Sequence, residues 1–268
     1  LEKTIGFIGC GNMARAILGG ILKADIVDRS AVMTSARTAA TRKEVEEKFQ
    51  VECTEDNLAV AGFSDVLFLS IKPDQYEKVI AEIKDDIKED VIIVTIAAGI
   101  TLDWMEARFG KAVKVVRTMP NTPSLVGEGM TAYCVNDRLT HKELNEVYTI
   151  LGSFGKAESV EESLMDAIPA VSGSSPAYVF MFIEALADGA VLQGIPRKQA
   201  YKMAAQAVLG AAKMVLETGT HPGELKDAVC SPGGATIEAV AALEKNGFKG
   251  SILAAMEVCG RKSTSLGG

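Results

Sequence analysis

The chain has 268 residues, 48% of them hydrophobic and 24% charged, which is enough to bury a core as one large domain or two ordinary ones. Its 35 acidic and 28 basic residues leave a formal net charge of −7, which argues against a nucleic-acid partner, because such binding is driven by basic patches on phosphates. Five scattered cysteines with no Cys-x-x-Cys pair, and only two histidines, suggest no disulfide framework, zinc site or histidine relay, so a reducing compartment is expected.

The first half alternates short apolar runs with amphipathic stretches. Strands are expected at 4–8, 32–35, 66–71, 91–96 and 114–118, and helices at 13–23, 41–49, 76–83 and 102–109. Three of the strand runs lack polar alternation, as suits strands buried on both faces of a parallel sheet. Repeated β-α units predict a doubly wound α/β sheet. Residues 131–134 suggest an added edge strand and 142–151 a further helix. No signal or transit segment is expected ahead of the first strand, and the expected location is cytoplasmic.

From about Glu162 the strand signals vanish and the chain becomes Ala-rich and helical. The expected domains are therefore 1–161, a dinucleotide-binding sheet, and 162–268, all helical. Ser175-Pro176 reads as an N-cap with proline at the first helical position. The run 177–193 is apolar almost all round and should be buried. Glu184 and Asp188 in its middle argue against a membrane span. Gly194-Ile195-Pro196 ends that helix and starts one that runs to about Glu217. Two such helices have too little chain of their own to hide behind, so a second subunit is expected to interlock with them.

The strongest motif is Gly9-Cys-Gly11-Asn12-Met13-Ala14, a G-x-G-x-x-A between the first strand and the first helix. Gly9 serves the tight turn, Gly11 lets backbone approach a pyrophosphate, and Ala14 permits close helix–strand packing. The phosphates would rest on the amides of Asn12 and Met13 at the helix N-terminus. NAD sites usually carry an acid after the second strand; here the chain reads Ser35-Ala36-Arg37 with no carboxylate. Ser35 and Arg37 suit the 2′-phosphate of NADP(H), with NAD(H) the weaker alternative. Three further loops follow strands and should complete the crevice: Ile71-Lys72-Pro73, Ala97-Ala98-Gly99, and the turn around Asn121.

A second unusual segment is Cys230-Ser231-Pro-Gly233-Gly234-Ala235-Thr236, just before a helix expected at 237–245. Glycines and hydroxyls ahead of a helix make a nest of backbone donors suited to a carboxylate or phosphate; a capped helix start with a tight turn explains the same residues.

With these segments in order, joined by Arg117-Thr-Met-Pro-Asn-Thr-Pro123 and Val171-Ser-Gly-Ser-Ser-Pro-Ala-Tyr178, the whole chain resembles the pyrroline-5-carboxylate reductases. The resemblance implies NAD(P)H-dependent reduction of Δ1-pyrroline-5-carboxylate to proline, a Rossmann-like domain followed by a helical dimerisation domain, and substrate near the dimer interface. A dimer is implied, with a decamer built as a pentamer of dimers as the larger assembly. By the same resemblance Ser231, Gly234, Ala235 (through its N–H) and Thr236 hold the substrate carboxylate, Thr236 lies near the ring nitrogen, Glu162 lies at the substrate pocket, and Asn57 touches the cofactor ribose. Two positions depart from the family pattern: Ser175 stands where glycine is expected, and Ala228 where some members carry a polar residue. The rival enzyme class, the β-hydroxyacid dehydrogenases, needs a helical-domain lysine as proton shuttle, and Lys198, Lys202 and Lys213 read instead as a solvated helix face. A nucleotide sensor with a vestigial site is the non-enzymatic alternative, and the intact 231–236 loop argues against it.

Overall fold

The computed structural model describes residues 1–264. Eight strands form one sheet: β1 (Ile5–Ile8), β2 (Val32–Ser35), β3 (Glu52–Thr54), β4 (Val66–Leu69), β5 (Ile92–Thr95), β6 (Lys114–Met119), β7 (Gly129–Val135) and β8 (Gly155–Ser159). Their spatial order is 3-2-1-4-5-6-7-8, with every neighbour parallel except the β6–β7 pair. The order reverses between β1 and β4, the switch point at which doubly wound sheets open a ligand crevice.

Helices α1 (Asn12–Lys23), α2 (Ala39–Phe49), α3 (Asn57–Phe63), α4 (Tyr76–Ile83), α5 (Leu102–Phe109) and α6 (His141–Gly152) connect the strands. Side chains alternate across the central strands, so each face has its own core. Phe7, Phe68, Val94 and Val116 pack with Ile17, Leu18, Val45 and Val147 from α1, α2 and α6. Ile8, Leu67, Ile93 and Val115 pack with Ile80, Ile83 and Met105 from α4 and α5. Burial on both sides is why these strands read as unbroken apolar runs.

The structure differs from expectation at the sheet margins. The strand at 131–134 lengthens into β7 and is not an edge, since β8 pairs outside it. Neither β3, β8 nor α3 was expected. In β8 only Ala157 is buried, and β3 is three residues long with one buried, Cys53. Strands at an edge need little apolar pattern, so the sequence carries little signal for them.

The remaining helices are α7 (Ser175–Leu192), α8 (Arg197–Thr218), α9 (Pro222–Ala228), α10 (Ala235–Lys245) and α11 (Phe248–Thr264). The chain divides into two compact units, Leu1–Ser174 with the segment from Cys259 onward, and Ser175–Val258. Residues 265–268 of the expected second domain lie outside the described residues. One expectation for α7 fails, and the other, its burial, was expected to involve a second subunit. Ser175 is not a cap, because Ser174 before it is already helical (φ −99°, ψ −23°) and Ser175 opens the helix itself. Nor is α7 buried within the chain: Ala187 is its single buried residue, while Phe180 and Met181 are 63% and 69% exposed. A helix apolar all round needs neighbours on every side, and one chain does not supply them.

Candidate active site

The turn after β1 meets the steric demands of a dinucleotide cradle. Gly9 has φ +87°, and a Cβ there would stand 2.6 Å from the Ser70 carbonyl oxygen on the neighbouring β4 loop. At Gly11 a Cβ would meet nothing within 4 Å, so the missing side chain leaves open space above the backbone. Gly11 is the N-cap of α1, makes no side-chain cap, and is followed by a first turn without acids. The N–H groups of Asn12 and Met13 are thus free of intrahelical partners and lie in the field that favours an anion. The Arg15 guanidinium Nε donates to the Cys10 carbonyl at 3.1 Å and Nη1 pairs with Glu44 at 2.6 Å, bracing the turn from below. Burial pushes the Cys10 thiol up to about 11, so it stays a neutral packing residue.

A cleft of about 320 Å³ opens beside this turn, and its walls include Gly9, Gly11, Ser35, Arg37, Thr38, Asn57, Ile71 and Lys72. Half of the expected cofactor residues are therefore brought to one place. Arg37 and Lys72 are exposed at it. Ser35 is buried, and its hydroxyl donates to Asn57 Oδ1 at 2.7 Å, while Asn57 Nδ2 donates to Glu82 at 3.1 Å. Ser35 thus acts on this wall by orienting Asn57. Ala97, Ala98 and Gly99 (φ +78°) follow β5, and Asn121 follows β6, further along the same carboxyl edge of the sheet. Pro73 starts a short 3-10 turn beside Lys72. The Asn121 amide is engaged at both ends, donating to Ser172 O at 2.9 Å and accepting from Met130 N–H at 2.8 Å, which pins its loop.

Sequence reasoning missed Thr38, Thr41, Glu55 and Gln75, all of which line the cleft. The Thr38 cap was readable: its hydroxyl accepts from Thr41 N–H at 3.2 Å and starts α2 two residues before expectation. Glu55 gave no local sign. A second cleft of equal size lies at the opposite ends of β2 and β3, but its one arginine, Arg29, donates to the Phe49 carbonyl.

Glu162 and its neighbours form a separate polar knot around one buried arginine. Arg117 on β6 is 2% exposed; its Nη1 reaches Glu162 Oε1 at 3.2 Å and its Nη2 reaches Asp166 Oδ1 at 2.6 Å. Glu162 Oε1 also accepts from the Leu102 N–H at 2.8 Å, capping the first turn of α5 from a distance in sequence. The Arg117 role was invisible beforehand.

In the helical unit, Ser231, Gly234, Ala235 and Thr236 gather at the start of α10. Gly234 N–H donates to Ser231 O at 3.0 Å, closing a turn in which Gly233 takes φ +69°. A Cβ at Gly234 would stand 2.4 Å from Ser231 Oγ, so the hydroxyl sits over the helix entrance and would have to rotate away to admit a side chain there. α10 begins at Ala235, two residues earlier than expected, with Gly234 as an N-cap that makes no side-chain bond. The Ala235 and Thr236 N–H groups are consequently first-turn donors. Glu238 in the same turn partly offsets the favourable dipole. Ser231, Ala235 and Thr236 are exposed.

A mostly parallel, doubly wound sheet with a glycine turn at its switch point is the architecture of a dinucleotide-dependent oxidoreductase. Residues 162–266 match the family model described as pyrroline-5-carboxylate reductase dimerisation, and residues 4–99 match that of NADP oxidoreductase, coenzyme F420-dependent. The chain is 48% identical over 266 residues to the pyrroline-5-carboxylate reductase of Escherichia coli (strain K12), covering 99% of both chains. The structure of a pyrroline-5-carboxylate reductase from Coxiella burnetii aligns with a TM-score of 0.92 at 34% identity, covering 100% of both chains. That of the Plasmodium falciparum pyrroline carboxylate reductase with NADP bound aligns at 0.89 and 31%, covering 100% of this chain and 99% of that one. The chain belongs to the pyrroline-5-carboxylate reductase family.

Proposed function

We infer that the protein reduces the cyclic imine Δ1-pyrroline-5-carboxylate to L-proline with NADPH, the last step of proline biosynthesis, with NADH as a weaker donor. The observation that carries this is the full-length likeness to named reductases, 48% identical over 266 residues in the first of them. When bound, the reduced nicotinamide supplies a hydride from C4, and the acceptor is C5 of the pyrroline ring.

The chain's own residues do the holding. Gly9 and Gly11 clear the approach to the pyrophosphate, and the Asn12 and Met13 N–H groups receive it. Arg37 meets the 2′-phosphate, and Ser35 orients Asn57 toward the ribose. Ile71, Lys72 and Pro73 wall the cleft. Ala97, Ala98, Gly99 and Asn121 form the nicotinamide end, where the small Ala97 and Ala98 side chains leave room for the ring. In the helical unit, Ser231 Oγ and the N–H groups of Ala235 and Thr236 grip the substrate carboxylate, and Gly234, whose own N–H closes the turn onto Ser231 O, shapes the backbone that presents them. Thr236 Oγ1 orients the ring nitrogen. Threonine is a poor acid, so the proton comes from solvent or from an imine already protonated. A substrate role for Glu162 rests on Oε2, because Oε1 already serves Leu102 and Arg117.

The functional division falls at 161/162, where the dimerisation family model also begins. Self-association runs through the helical part: Phe180, Met181, Leu192 and Leu216 are 63%, 69%, 87% and 79% exposed, too apolar a surface to face water. A pentamer of dimers is the larger assembly we propose. The stretch Pro169–Leu192 is long and apolar enough to cross a membrane by composition. A second copy accounts for that apolarity, and Glu184 and Asp188 lie within it, so the reading is a cytoplasmic enzyme with neither membrane nor nucleic-acid partner.

The test is proline-forming turnover with NADPH and NADH side by side. Thr236→Val should lower kcat/KM for the imine about tenfold or more while NADPH affinity holds. No proline from either donor overturns the activity; a Thr236→Val variant with full kcat/KM overturns that residue's role.

A further inference from the structure

The cofactor cleft contains a carboxylate that the chain order conceals. Three charged side chains line it: Arg37, Lys72 and Glu55. Acids that accept from the adenosine ribose of NAD usually follow the second strand, and that loop here has none. Glu55 comes instead from the end of β3. The parallel register pairs Ser35 with Thr54, and Ala36 N–H donates to Thr54 O at 2.9 Å, so Glu55 emerges alongside Ala36 and Arg37. Its neighbour Asp56 is turned away, accepting from Leu58 and Ala59 N–H as the cap of α3.

Arg42 on α2 keeps Glu55 in place. Its Nη1 donates to the carbonyls of Ala36 and Arg37 at 3.0 and 3.2 Å, and its Nη2 pairs with Glu55 Oε2 at 3.1 Å. The arginine is largely covered, with 21% side-chain exposure, whereas the Glu55 side chain is 75% exposed. The guanidinium is thus committed to the loop, and the carboxylate keeps lone pairs facing solvent on the cleft wall.

We propose that Glu55 is a specificity-determining residue for the dinucleotide: its carboxylate accepts from the ribose hydroxyls of an unphosphorylated cofactor and opposes a 2′-phosphate. The choice between NADPH and NADH is set by Glu55 against Arg37, and Glu55 is the element that keeps NADH usable. This rests on the dinucleotide reading of the cleft but not on the identity of the imine.

Equilibrium titration of the intact protein with NADP⁺ and NAD⁺ tests it, comparing wild type with Glu55→Gln. The site is exposed and the exchange nearly isosteric, so folding is not at stake. Loss of one negative charge near a phosphate should strengthen NADP⁺ binding about threefold and weaken NAD⁺ binding about twofold, moving the ratio about sixfold at physiological salt. Near 1 M salt the NADP⁺ gain should largely disappear, which a merely structural effect would not do. Glu55→Lys should move the ratio further in the same direction. A Glu55→Gln ratio within about twofold of wild type, or a shift indifferent to salt, overturns the proposal. If the ratio moves as stated but no imine is reduced, the cleft assignment stands and the proposed activity falls. If proline forms normally and the ratio is unmoved, the activity stands and the role of Glu55 falls.

Discussion

Replacing Arg117 with methionine measures how much the knot behind β6 contributes to stability. The variant keeps the side chain's apolar bulk and deletes the guanidinium, which is 2% exposed and bonded to Glu162 and Asp166 at 3.2 and 2.6 Å. Each lost charge-assisted bond is worth about 1.5–3 kcal/mol. Two effects run the other way. The Glu162 and Asp166 side chains are 32% and 51% exposed, so water can take over part of their solvation. The Arg117 Nε is also buried without a partner, and removing it relieves about 1–3 kcal/mol. The balance is a loss of about 2 kcal/mol, below the usual range for breaking a fully buried pair. For a chain of this size that lowers Tm by about 4–8 °C, read by circular dichroism at equal protomer concentration. A double-mutant cycle with Glu162→Gln should show a coupling of about 1 kcal/mol, and the amide of Leu102 should keep its exchange protection in Arg117→Met, because Glu162 still caps it. A Tm within about 1 °C of wild type, with additive single variants, would refute the account of Arg117 as the tie between β6 and 162–166.

Three further outcomes follow from the same geometry. Gly9→Ala forces a side chain into φ +87° and within 2.6 Å of Ser70 O, so dinucleotide affinity should fall by about a hundredfold, and an affinity near wild type would sink the cradle. Burial works against the charge on Asp65, but hydrogen bonds from Lys88 and from the Thr4 N–H and hydroxyl outweigh it and hold the carboxyl below its usual range. A depressed folded-state value stabilises the protein above the ordinary carboxylate pKa and ceases to do so as pH falls through it. Asp65→Asn should thus cost about 1 kcal/mol at pH 7, with the gap to wild type closing below about pH 4; a pH-independent gap would contradict this. Phe180→Glu should shift the protein toward monomer in sedimentation velocity, and an unchanged assembly would move the interface elsewhere.

Much of the cofactor half was legible in the sequence because its demands are local. A glycine with φ +87° after an apolar strand, an unobstructed second glycine and a small residue in the next turn are steric requirements met within six residues. The two-sided burial of the central strands likewise leaves unbroken Ile and Val runs that need no partner to be recognised. The turn ahead of α10 was legible for the same reason, since Ser231 and Gly233-Gly234 are shaped by contacts among themselves, although the helix itself starts two residues earlier than expected.

What the tertiary structure alone decided depends on pairing between distant segments. The register of β2 against β3 brings Glu55 beside Arg37 across 18 positions of sequence, and neither strand's pattern encodes that meeting. Arg117 reads as one more polar residue in a strand until the fold places Glu162 and Asp166 against it and buries its guanidinium while leaving both carboxylates partly exposed. Asn121 and Ser35 looked like ligand groups, and the fold commits their side chains to Ser172, Met130 and Asn57. Side-chain type states what a residue can bond; only the folded backbone states which partner reaches it first.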